Sequence, residues 1–256
     1  MGVYLYGASG HAKVIMDIIN GNVNDYSNGN VNGNGNQASR TPTQGRKTVS
    51  VNDNDNCLAE AGLAPLHSPS GETEGGLVSV NVPVISGLFD DNPEVTELEG
   101  IPVMHEYHGE EPMIISIGNN SIRKRLVEKL GDIEYATAIH PSAIISPKAT
   151  IDKGTVVMPG AIINSGARIG KHCIVNTGAA IDHECVIGDY AHISPHATLC
   201  GNVQVGEGVW IGAGATVIPG IKIGRWAVIG AGSVVVRDIP DGVTAFGNPC
   251  KIKRER

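Results

Sequence analysis

Aliphatic residues recur at every sixth position along the C-terminal half of the chain. From Ile139 to Val235, seventeen consecutive hexads carry isoleucine, valine or leucine in one register, with no insertion. Small or medium residues such as Ala143, Ala161 and Cys173 lie two positions before each aliphatic residue. Because side chains two apart in a strand point to the same face, both members of each pair face inward. The pattern predicts short strands around one continuous core.

A period of six with two inward residues per unit is typical of a β-helix, whose short strands meet at corners and whose coils stack. Three hexads make a coil of 18 residues, so residues 18 apart are stacked neighbours. Glycine often follows the aliphatic residue, as at Gly188 and Gly206, where a tight corner favours a residue without Cβ. The seventeen hexads therefore predict between five and six parallel coils.

The N-terminal region has a different pattern. The stretch "VYLYGASGHAKVIMDII" has the order apolar strand, glycine turn and helix, and "MIISIGNNSIRKRLVEKLG" repeats it. Between them lies "VISGLFDDNP", a third strand that ends at two aspartates. Strands that alternate with helices predict a parallel sheet in a Rossmann-like α/β unit.

A polar segment interrupts this α/β pattern. Residues 20–36 contain eight Asn and four Gly in 17 positions. Such a segment buries too little apolar surface to offset its chain entropy, so we predict a disordered insertion. The predicted organisation is a Rossmann-like unit at 1–20 and 81–137, the insertion at 21–80, the β-helix at 138–240, and a C-terminal cap with a basic tail at 241–256.

Composition narrows the class of protein. The 256 residues carry a net charge of −7 and the basic residues cluster only in the tail "KIKRER", so nucleic acid is not the expected partner. The N-terminus lacks a cationic segment followed by an apolar one, and no apolar run approaches the roughly 20 residues of a membrane span. We therefore expect a cytoplasmic protein without membrane insertion. The five cysteines form no C-x-x-C pair, which disfavours a zinc ribbon or a disulfide framework.

His183 is the main candidate for chemistry. It lies two residues after Ile181, at a corner outside the core, between Asp182 and Glu184 and one coil below Gly201. An imidazole titrates near neutrality, a flanking carboxylate can orient it, and a glycine N–H can approach a bound carbonyl. The alternative is ordinary surface polarity, because an exterior corner tolerates any polar residue.

Three other residues face outward near the same wall. Asn176 and His192 point outward by strand alternation. Cys200 faces out beside Gly201 and is the alternative, a thiol nucleophile, although its spacing fixes no base beside it.

A metal is not expected, because histidines that share one zinc on such a wall stack whole coils apart, as in the trimeric β-helix carbonic anhydrases. No two of His172, His183, His192 and His196 are 18 or 36 residues apart.

The α/β unit carries a second candidate site. Helices are expected to begin near Ser9 or Gly10, and at Asn119 or Asn120 after Gly118. Two helix N-termini at the carboxyl ends of adjacent parallel strands would bind phosphate oxygens. The aspartates Asp90 and Asp91 would accept hydrogen bonds from a sugar hydroxyl, unless they only form the turn before Pro93. Together these features favour a ligand with phosphates and a polar sugar.

The motifs resemble a known family. The strings that carry the likeness are "YGASGHAKV", "FDDNP", "IGNNSIRKR", "HPSAIISPKATI", "VNTGAAIDHECVIGD", "HISPHATLCGNV" and "GNPCK". They resemble the left-handed, triangular hexapeptide-repeat sugar acetyltransferases of bacteria, which include UDP-4-amino-sugar N-acetyltransferases and sialic-acid O-acetyltransferases. The likeness covers essentially all of the chain except the insertion.

The resemblance implies acetyl transfer from acetyl-CoA within a homotrimer, with active sites between neighbouring β-helices. It gives His183 the role of general base, with Glu184 or Asp182 orienting it. Asn176 and His192 would be supporting polar groups, and the Gly201 N–H would stabilise the oxyanion.

The resemblance also implies where the ligands bind. The nucleotide-sugar site would comprise Gly7, Ser9, Gly10, His11, Asp90, Asp91, Gly118, Asn119 and Asn120. For acetyl-CoA, the small corner residues Ala213 and Ala231, stacked above Pro195, look like the wall for the pantetheine arm, with Gly201 at the reacting end. Tight corners also favour small residues for steric reasons alone.

Our preferred function is N-acetylation of a UDP-linked 4-amino sugar. One alternative is O-acetylation of sialic acid or another small hydroxyl acceptor, which would leave Asp90 without a role. The other is a non-catalytic β-helix scaffold, for which only the repeat would matter.

Overall fold

The structure is a computed structural model that describes residues 2–8, 10–19, 84–107, 109 and 111–255. The predicted insertion at 21–80 lies entirely outside the described residues, and so does Ser9.

The first part of the chain forms a five-stranded sheet with two helices. Its sheet order is β3-β4-β2-β1-β5. Strand β1 pairs in parallel with β2 and β5, β2 pairs in parallel with β4, and β3 is antiparallel to β4. The elements are β1 (Gly2–Tyr6), α1 (Gly10–Ile19), β2 (Val84–Phe89), β3 (Glu97–Leu98), β4 (Ile101–Met104), β5 (Met113–Ile115) and α2 (Asn120–Leu130). This is the expected strand–helix order; its assignment as Rossmann-like stays a prediction.

Both helices follow from local sequence signals. Helix α1 buries Ala12, Ile15 and Ile19 on one face, the spacing of an amphipathic helix. Helix α2 is capped by Asn119, whose side chain accepts the Ile122 N–H at 3.0 Å. Of the two expected N-caps, Asn119 is thus confirmed. The carboxyl ends of β1 and β5 lead into α1 and α2, so both helices begin at the same edge of the sheet.

The second part of the chain is a parallel β-helix. Each predicted hexad contributes one two-residue strand that ends on the predicted aliphatic residue, so the repeat prediction is confirmed. The strands are β6 (Ala138–Ile139), β7 (Ile144–Ile145), β8 (Thr150–Ile151), β9 (Val156–Val157), β10 (Ile162–Ile163), β11 (Arg168–Ile169), β12 (Ile174–Val175), β13 (Ala180–Ile181), β14 (Val186–Ile187), β15 (His192–Ile193), β16 (Thr198–Leu199), β17 (Gln204–Val205), β18 (Trp210–Ile211), β19 (Thr216–Val217), β20 (Lys222–Ile223), β21 (Val228–Ile229) and β22 (Val234–Val235).

Every third strand stacks in register to form three faces. Partners are 18 residues apart, as in the pairing of Ile162 with Ala180. We call the sheet of β6, β9, β12, β15, β18 and β21 face 1, the sheet from β7 to β22 face 2, and the sheet from β8 to β20 face 3. The chain passes from face 1 to face 2 to face 3, and the turns between them form the 1–2, 2–3 and 3–1 corners.

The C-terminal residues extend face 1. Strand β23 (Val243–Phe246) pairs in parallel with β21, and β24 (Lys251–Glu255) pairs antiparallel with β23. The segment that we expected to be a basic tail is therefore mostly an ordered strand, because β23 offers it a free edge.

The inward residues fill the β-helix completely. Ala179 and Ile181 are fully buried, and the equivalent pairs along the coils join one hydrophobic cluster. The outward residues distinguish the faces. On face 1, Val156 and Ile174 pack in a cluster with α1. On face 2, the outward Ile144 is 66% exposed.

The turns contain a feature that the sequence pattern did not predict. The third residue after the aliphatic position has positive φ in fourteen consecutive turns, from Gly154 to Gly232. Six of these residues are not glycine, among them His172 and Glu184. The glycine that directly follows the aliphatic residue is favoured for a different reason, because its position is crowded. At Gly188, for example, a Cβ would lie 2.7 Å from the Glu207 nitrogen.

No helix in the described ranges has the length and apolar character needed to cross a bilayer.

Removal of a core aliphatic residue should destabilise the β-helix strongly. Ile193 is fully buried, and we expect Ile193→Ala to cost about 2–5 kcal/mol through lost burial and the cavity left behind. Thermal unfolding followed by circular dichroism would show a clearly lower midpoint. Gln204→Ala, on the exposed side of face 3, is the matched control, and an equal shift for both variants would contradict the assignment of the core.

Candidate active site

His183 lies on the 2–3 corner, with its imidazole against Gly201 of the next coil. Its side chain is 58% exposed. A Cβ at Gly201 would lie 2.4 Å from the His183 Nε2 atom, so glycine is required for this close approach. The expected stacking of these two residues is confirmed.

Asp182 and Glu184, the two carboxylates beside His183, differ in their hydrogen bonds and in their exposure. Asp182 Oδ1 accepts hydrogen bonds from Asn164 Nδ2 at 2.9 Å and from the His183 N–H at 2.7 Å. The pKa of Asp182 is lowered, first by the Asn164 bond, then by the His183 N–H, with a smaller contribution from the Gly201 N–H. Glu184 is 72% exposed, and its Oε2 lies 3.6 Å from His183 Nδ1. Glu184 is therefore the carboxylate better placed to orient the ring.

Asn176 and His192 form a pair where face 1 meets the 1–2 corner. Asn176 Oδ1 accepts the Thr177 N–H at 2.8 Å, which directs its amide NH2 toward His192 Nε2 at 3.0 Å. His192 Nε2 is thus the acceptor, and the neutral ring carries its proton on Nδ1. His192 is 5% exposed, and burial, followed by the charges of Arg123 and His11, lowers its pKa to about 3. Its ring is neutral at physiological pH.

Within one chain, this pair does not lie beside His183. Our expectation of a shared wall was wrong, because strand alternation shows only that a side chain points outward. It does not show which corner the side chain occupies. Asn176 and His192 flank the 1–2 corner, whereas His183 lies one corner further along the chain. The predicted pantetheine wall divides in the same way, with Ala213 and Ala231 at the 1–2 corner and Gly201 at the 2–3 corner.

His192 connects the β-helix to α1. Its ring stacks on Trp210 with 5.7 Å between centroids and meets His11 edge-on at 5.8 Å. The Trp210 Nε1–H donates to Ser194 Oγ at 2.9 Å, which fixes the indole. Burial and the nearby Arg123 also lower the pKa of His11. The predicted substrate residue His11 thus contacts a predicted catalytic residue.

The two aspartates after β2 have protein partners. Asp90 accepts the N–H groups of Ala8 and Asn92, each at 2.9 Å. Asp91 Oδ1 accepts the Tyr6 hydroxyl at 2.5 Å and Lys129 Nζ at 2.9 Å. The hydrogen bond from Tyr6 is the main cause that lowers the pKa of Asp91. Asp90 thus holds the loop after β1 in place, and Asp91 remains 56% exposed, so the binding of a sugar hydroxyl by these aspartates stays a prediction.

The loop before α2 lies against α1. A Cβ at Gly118 would lie 2.5 Å from the His11 ring, so this loop and α1 are in direct contact. Gly7, in the loop after β1, has a φ of 107° and donates its N–H to the Phe89 carbonyl at 2.7 Å. Helix α1 begins at Gly10, as expected. The main chain of these loops therefore surrounds the edge where both helices begin.

Asn120 requires a correction. Its side chain is 5% exposed and donates to the carbonyls of Gly208 and Val209 at 3.2 and 3.1 Å. It points to the β-helix and away from the sheet edge. Asn119 is exposed and uses its side-chain oxygen for the cap.

A groove of about 590 Å³ lies on face 3. Its lining includes Val186, Gln204, Lys222 and Pro240. Its lining reaches Gly206 and Gly224 of the 3–1 corner and does not include His183, so the groove is separate from the 2–3 corner. In the described part of the chain, no three His, Cys, Asp or Glu side chains cluster in a way that could hold a metal ion.

Comparisons with known proteins support a single family. Residues 166–201 and 202–237 match the bacterial transferase hexapeptide family. PerB from Caulobacter crescentus, solved in complex with CoA and GDP-perosamine, is 30% identical over 99% of this chain and 98% of its own, with a TM-score of 0.71. This chain belongs to the hexapeptide-repeat sugar acetyltransferases.

Two further relatives of this acetyltransferase chain support the same family. The acetyltransferase domain of PglB from Neisseria gonorrhoeae is 26% identical over 98% of this chain and 99% of its own, with a TM-score of 0.70. The UDP-N-acetylbacillosamine N-acetyltransferase of Bacillus subtilis is 57% identical over 40 residues, which span only 18% of its length. The family assignment includes the left-handed sense of the β-helix.

Two residues that surround the site, Trp210 and Arg123, were not predicted from the sequence. Trp210 follows His192 by one coil, and that spacing is the signal that could have placed it against the ring. Arg123 lies on the buried face of α2 with Asn120 and Leu126. The signal that could have identified Arg123 is a charged residue at a core position of an amphipathic helix pattern.

The buried imidazole of His192 should make the fold sensitive to acid. An unfolded histidine binds a proton near pH 6.5, whereas the folded pKa is about 3, so stability falls as pH decreases from about 6.5 toward 3. We expect the thermal midpoint of His192→Gln to decline less over this range than that of the wild type. Gln204→Ala, an exposed and non-titrating change on face 3, is the control and should keep the wild-type slope. Identical slopes for all three proteins would contradict the neutral, buried ring.

Proposed function

We propose that the chain transfers the acetyl group of acetyl-CoA to the amine of a nucleotide-linked 4-amino sugar. The observation that carries this proposal is the full-length likeness to PerB, described with CoA and GDP-perosamine, together with an exposed imidazole stacked on a glycine. We favour a UDP carrier, as the short but close match to the Bacillus subtilis enzyme suggests. A GDP carrier is the competing outcome.

The proposed chemistry needs a base at the attacking amine. His183 is exposed and its Nε2 borders Gly201. A carboxylate on the Nδ1 side favours the tautomer that keeps the proton on Nδ1 and leaves the Nε2 lone pair free. His192 is unsuited to this role because its pKa is about 3. The difference in burial thus favours His183 over His192 as the general base.

The transfer balances without a further reactant. The amine nitrogen attacks the thioester carbonyl as Nε2 of His183 accepts its proton, and a C–N bond forms. The C–S bond then breaks, and the protonated imidazole returns the proton to the leaving thiolate. The Gly201 N–H, which also contacts Asp182, would turn to the oxyanion and stabilise it as its charge develops.

We propose a homotrimer with the site between chains. Face 2 separates the 1–2 corner of Asn176 and His192 from the 2–3 corner of His183. If a neighbouring copy packs against face 2, its 1–2 corner can meet this 2–3 corner and join the divided residues. The outward Ile144 and Ile162 of face 2 are exposed and adjacent, and burial of such a surface favours association.

The α/β unit is the proposed binding site of the nucleotide sugar. Helices α1 and α2 begin at one edge of the sheet, and the main-chain N–H groups of helix N-termini suit a diphosphate. The His11–His192 contact places this edge next to the β-helix. A ligand held there would extend its sugar toward the corner that bears Asn176.

Loss of the base should remove turnover while leaving cosubstrate binding intact. We expect His183→Ala to lower kcat by about 10² or more, the usual range for a general base, with the CoA affinity and the oligomeric state unchanged. Thiol release would be measured with UDP- and GDP-linked 4-amino sugars, free sialic acid and serine. His140→Ala, at the first coil, is the control.

Two results would overturn the proposal. Near wild-type turnover of His183→Ala would remove the base assignment. Acetylation of sialic acid or serine, with no activity on any nucleotide sugar, would replace the proposed acceptor.

Asp90 should affect the acceptor selectively. Because its carboxylate holds the Ala8 N–H, we expect Asp90→Ala to raise KM for the nucleotide sugar and to leave KM for acetyl-CoA nearly unchanged. Glu94→Ala, an exposed change on the same segment, should alter neither constant. Equal increases in both constants for Asp90→Ala would show that the loop does not serve the acceptor alone.

A further inference from the structure

Arg123 is a buried cation on α2 with every donor in use. The residue is 1% exposed. Its Nε donates to the His172 carbonyl at 2.8 Å, Nη1 to Ile117 and Gly118 at 2.8 and 3.3 Å, and Nη2 to Asn120 Oδ1 and the Tyr190 carbonyl at 3.0 and 2.7 Å. The five N–H groups of a guanidinium are thus all matched.

None of these five acceptors is a carboxylate. Burial is the main cause that lowers the pKa of Arg123 to about 10, so the cation remains charged at neutral pH. A buried cation without an acid partner costs stability, and an apolar side chain of similar size would often fill such a site better. What a guanidinium adds is a planar fork of donors that fixes several acceptors at once.

The acceptors join two parts of the molecule. His172 and Tyr190 are stacked residues of the 3–1 corner, and the next residue in that column is Gly208, which accepts from Asn120. Helix α2 therefore binds the turn carbonyls of three successive coils. Of the three remaining acceptors, Ile117 and Gly118 belong to the loop that leads into α2, and Asn120 lies in the first turn of α2 itself.

This loop contacts the candidate site directly. Gly118 lies against the His11 ring, and His11 meets His192 edge-on at 5.8 Å. His192 in turn accepts the amide of Asn176. A shift of the loop relative to the β-helix would therefore move the edge proposed for the diphosphate relative to this pair.

We infer that Arg123 is a positioning residue, which fixes the loop Ile117–Asn119 in register with the β-helix and so places the acceptor for acetyl transfer. This inference rests on the proposed function for its kinetic consequence. Its structural part, that the guanidinium holds the loop, does not depend on the reaction.

The test compares Arg123→Lys with Arg125→Lys. Arg125 is exposed two residues away on the same helix, so the control makes the same chemical change without touching the loop. Lysine keeps the charge but has only three donors and no planar fork. For Arg123→Lys we expect kcat/KM for the nucleotide sugar to fall about 10- to 100-fold, the range for a small misplacement of a substrate. The KM for acetyl-CoA should stay within about twofold.

Amide hydrogen exchange gives a readout that is independent of activity. In Arg123→Lys, peptides that cover residues 116–122 should exchange faster, while those of the β-helix from 156 to 217 keep their protection. If Arg123→Lys does not fold, Asn120→Ala keeps the guanidinium but removes one of its acceptors and the hydrogen bond of α2 to Gly208, and the same selective pattern is expected.

Unchanged exchange and kinetics in Arg123→Lys would overturn the inference. So would parallel losses for acetyl-CoA and the nucleotide sugar, because they would indicate a general structural role. If the wild type acetylates no nucleotide sugar, the proposed function fails, and the exchange measurement still decides whether Arg123 holds the loop.

Discussion

The hydrogen-bonded register between residues 18 apart is the constraint on which the rest of the structure depends. Each two-residue strand is too short to persist alone, and it is stable only because equivalent strands of adjacent coils pair above and below it. One residue inserted within a strand would turn the inward residues of that strand outward. The unbroken run of hexads therefore keeps every coil in register, and it converts sequence distance directly into position in space.

The same register creates columns of side chains at the corners. Each site position is defined by its neighbour one coil away: His183 by Gly201, and His192 by Trp210. A residue with a large ring can occupy a corner only when the residue above it leaves room. Chemistry at a β-helix corner is thus specified by pairs of residues, and a glycine can matter as much as the histidine that it accommodates.

The sequence was sufficient to predict features that repeat or are local. The hexads, the α2 cap at Asn119 and the stacking of His183 on Gly201 depend only on spacing or on a few neighbouring residues. It was not sufficient for interactions in which a side chain binds distant main chain. Asn120 and Arg123 bind carbonyls at positions 172, 190, 208 and 209, and every residue carries a carbonyl, so residue identity gives no signal for such a partner. The corner occupied by His192 was missed for a different reason, since alternation gives the side of a strand but not the face.

Burial then separates histidines that look alike in the sequence. Both His183 and His192 point away from the β-helix core, yet one remains exposed and the other is covered by α1 and Trp210. Covering His192 removes it from acid–base chemistry near neutral pH, because desolvation disfavours its charged form. It also makes the ring a fixed acceptor for the Asn176 amide. By packing on face 1, the α/β unit therefore removes His192 from proton transfer near neutral pH and leaves its ring to hold Asn176 in place.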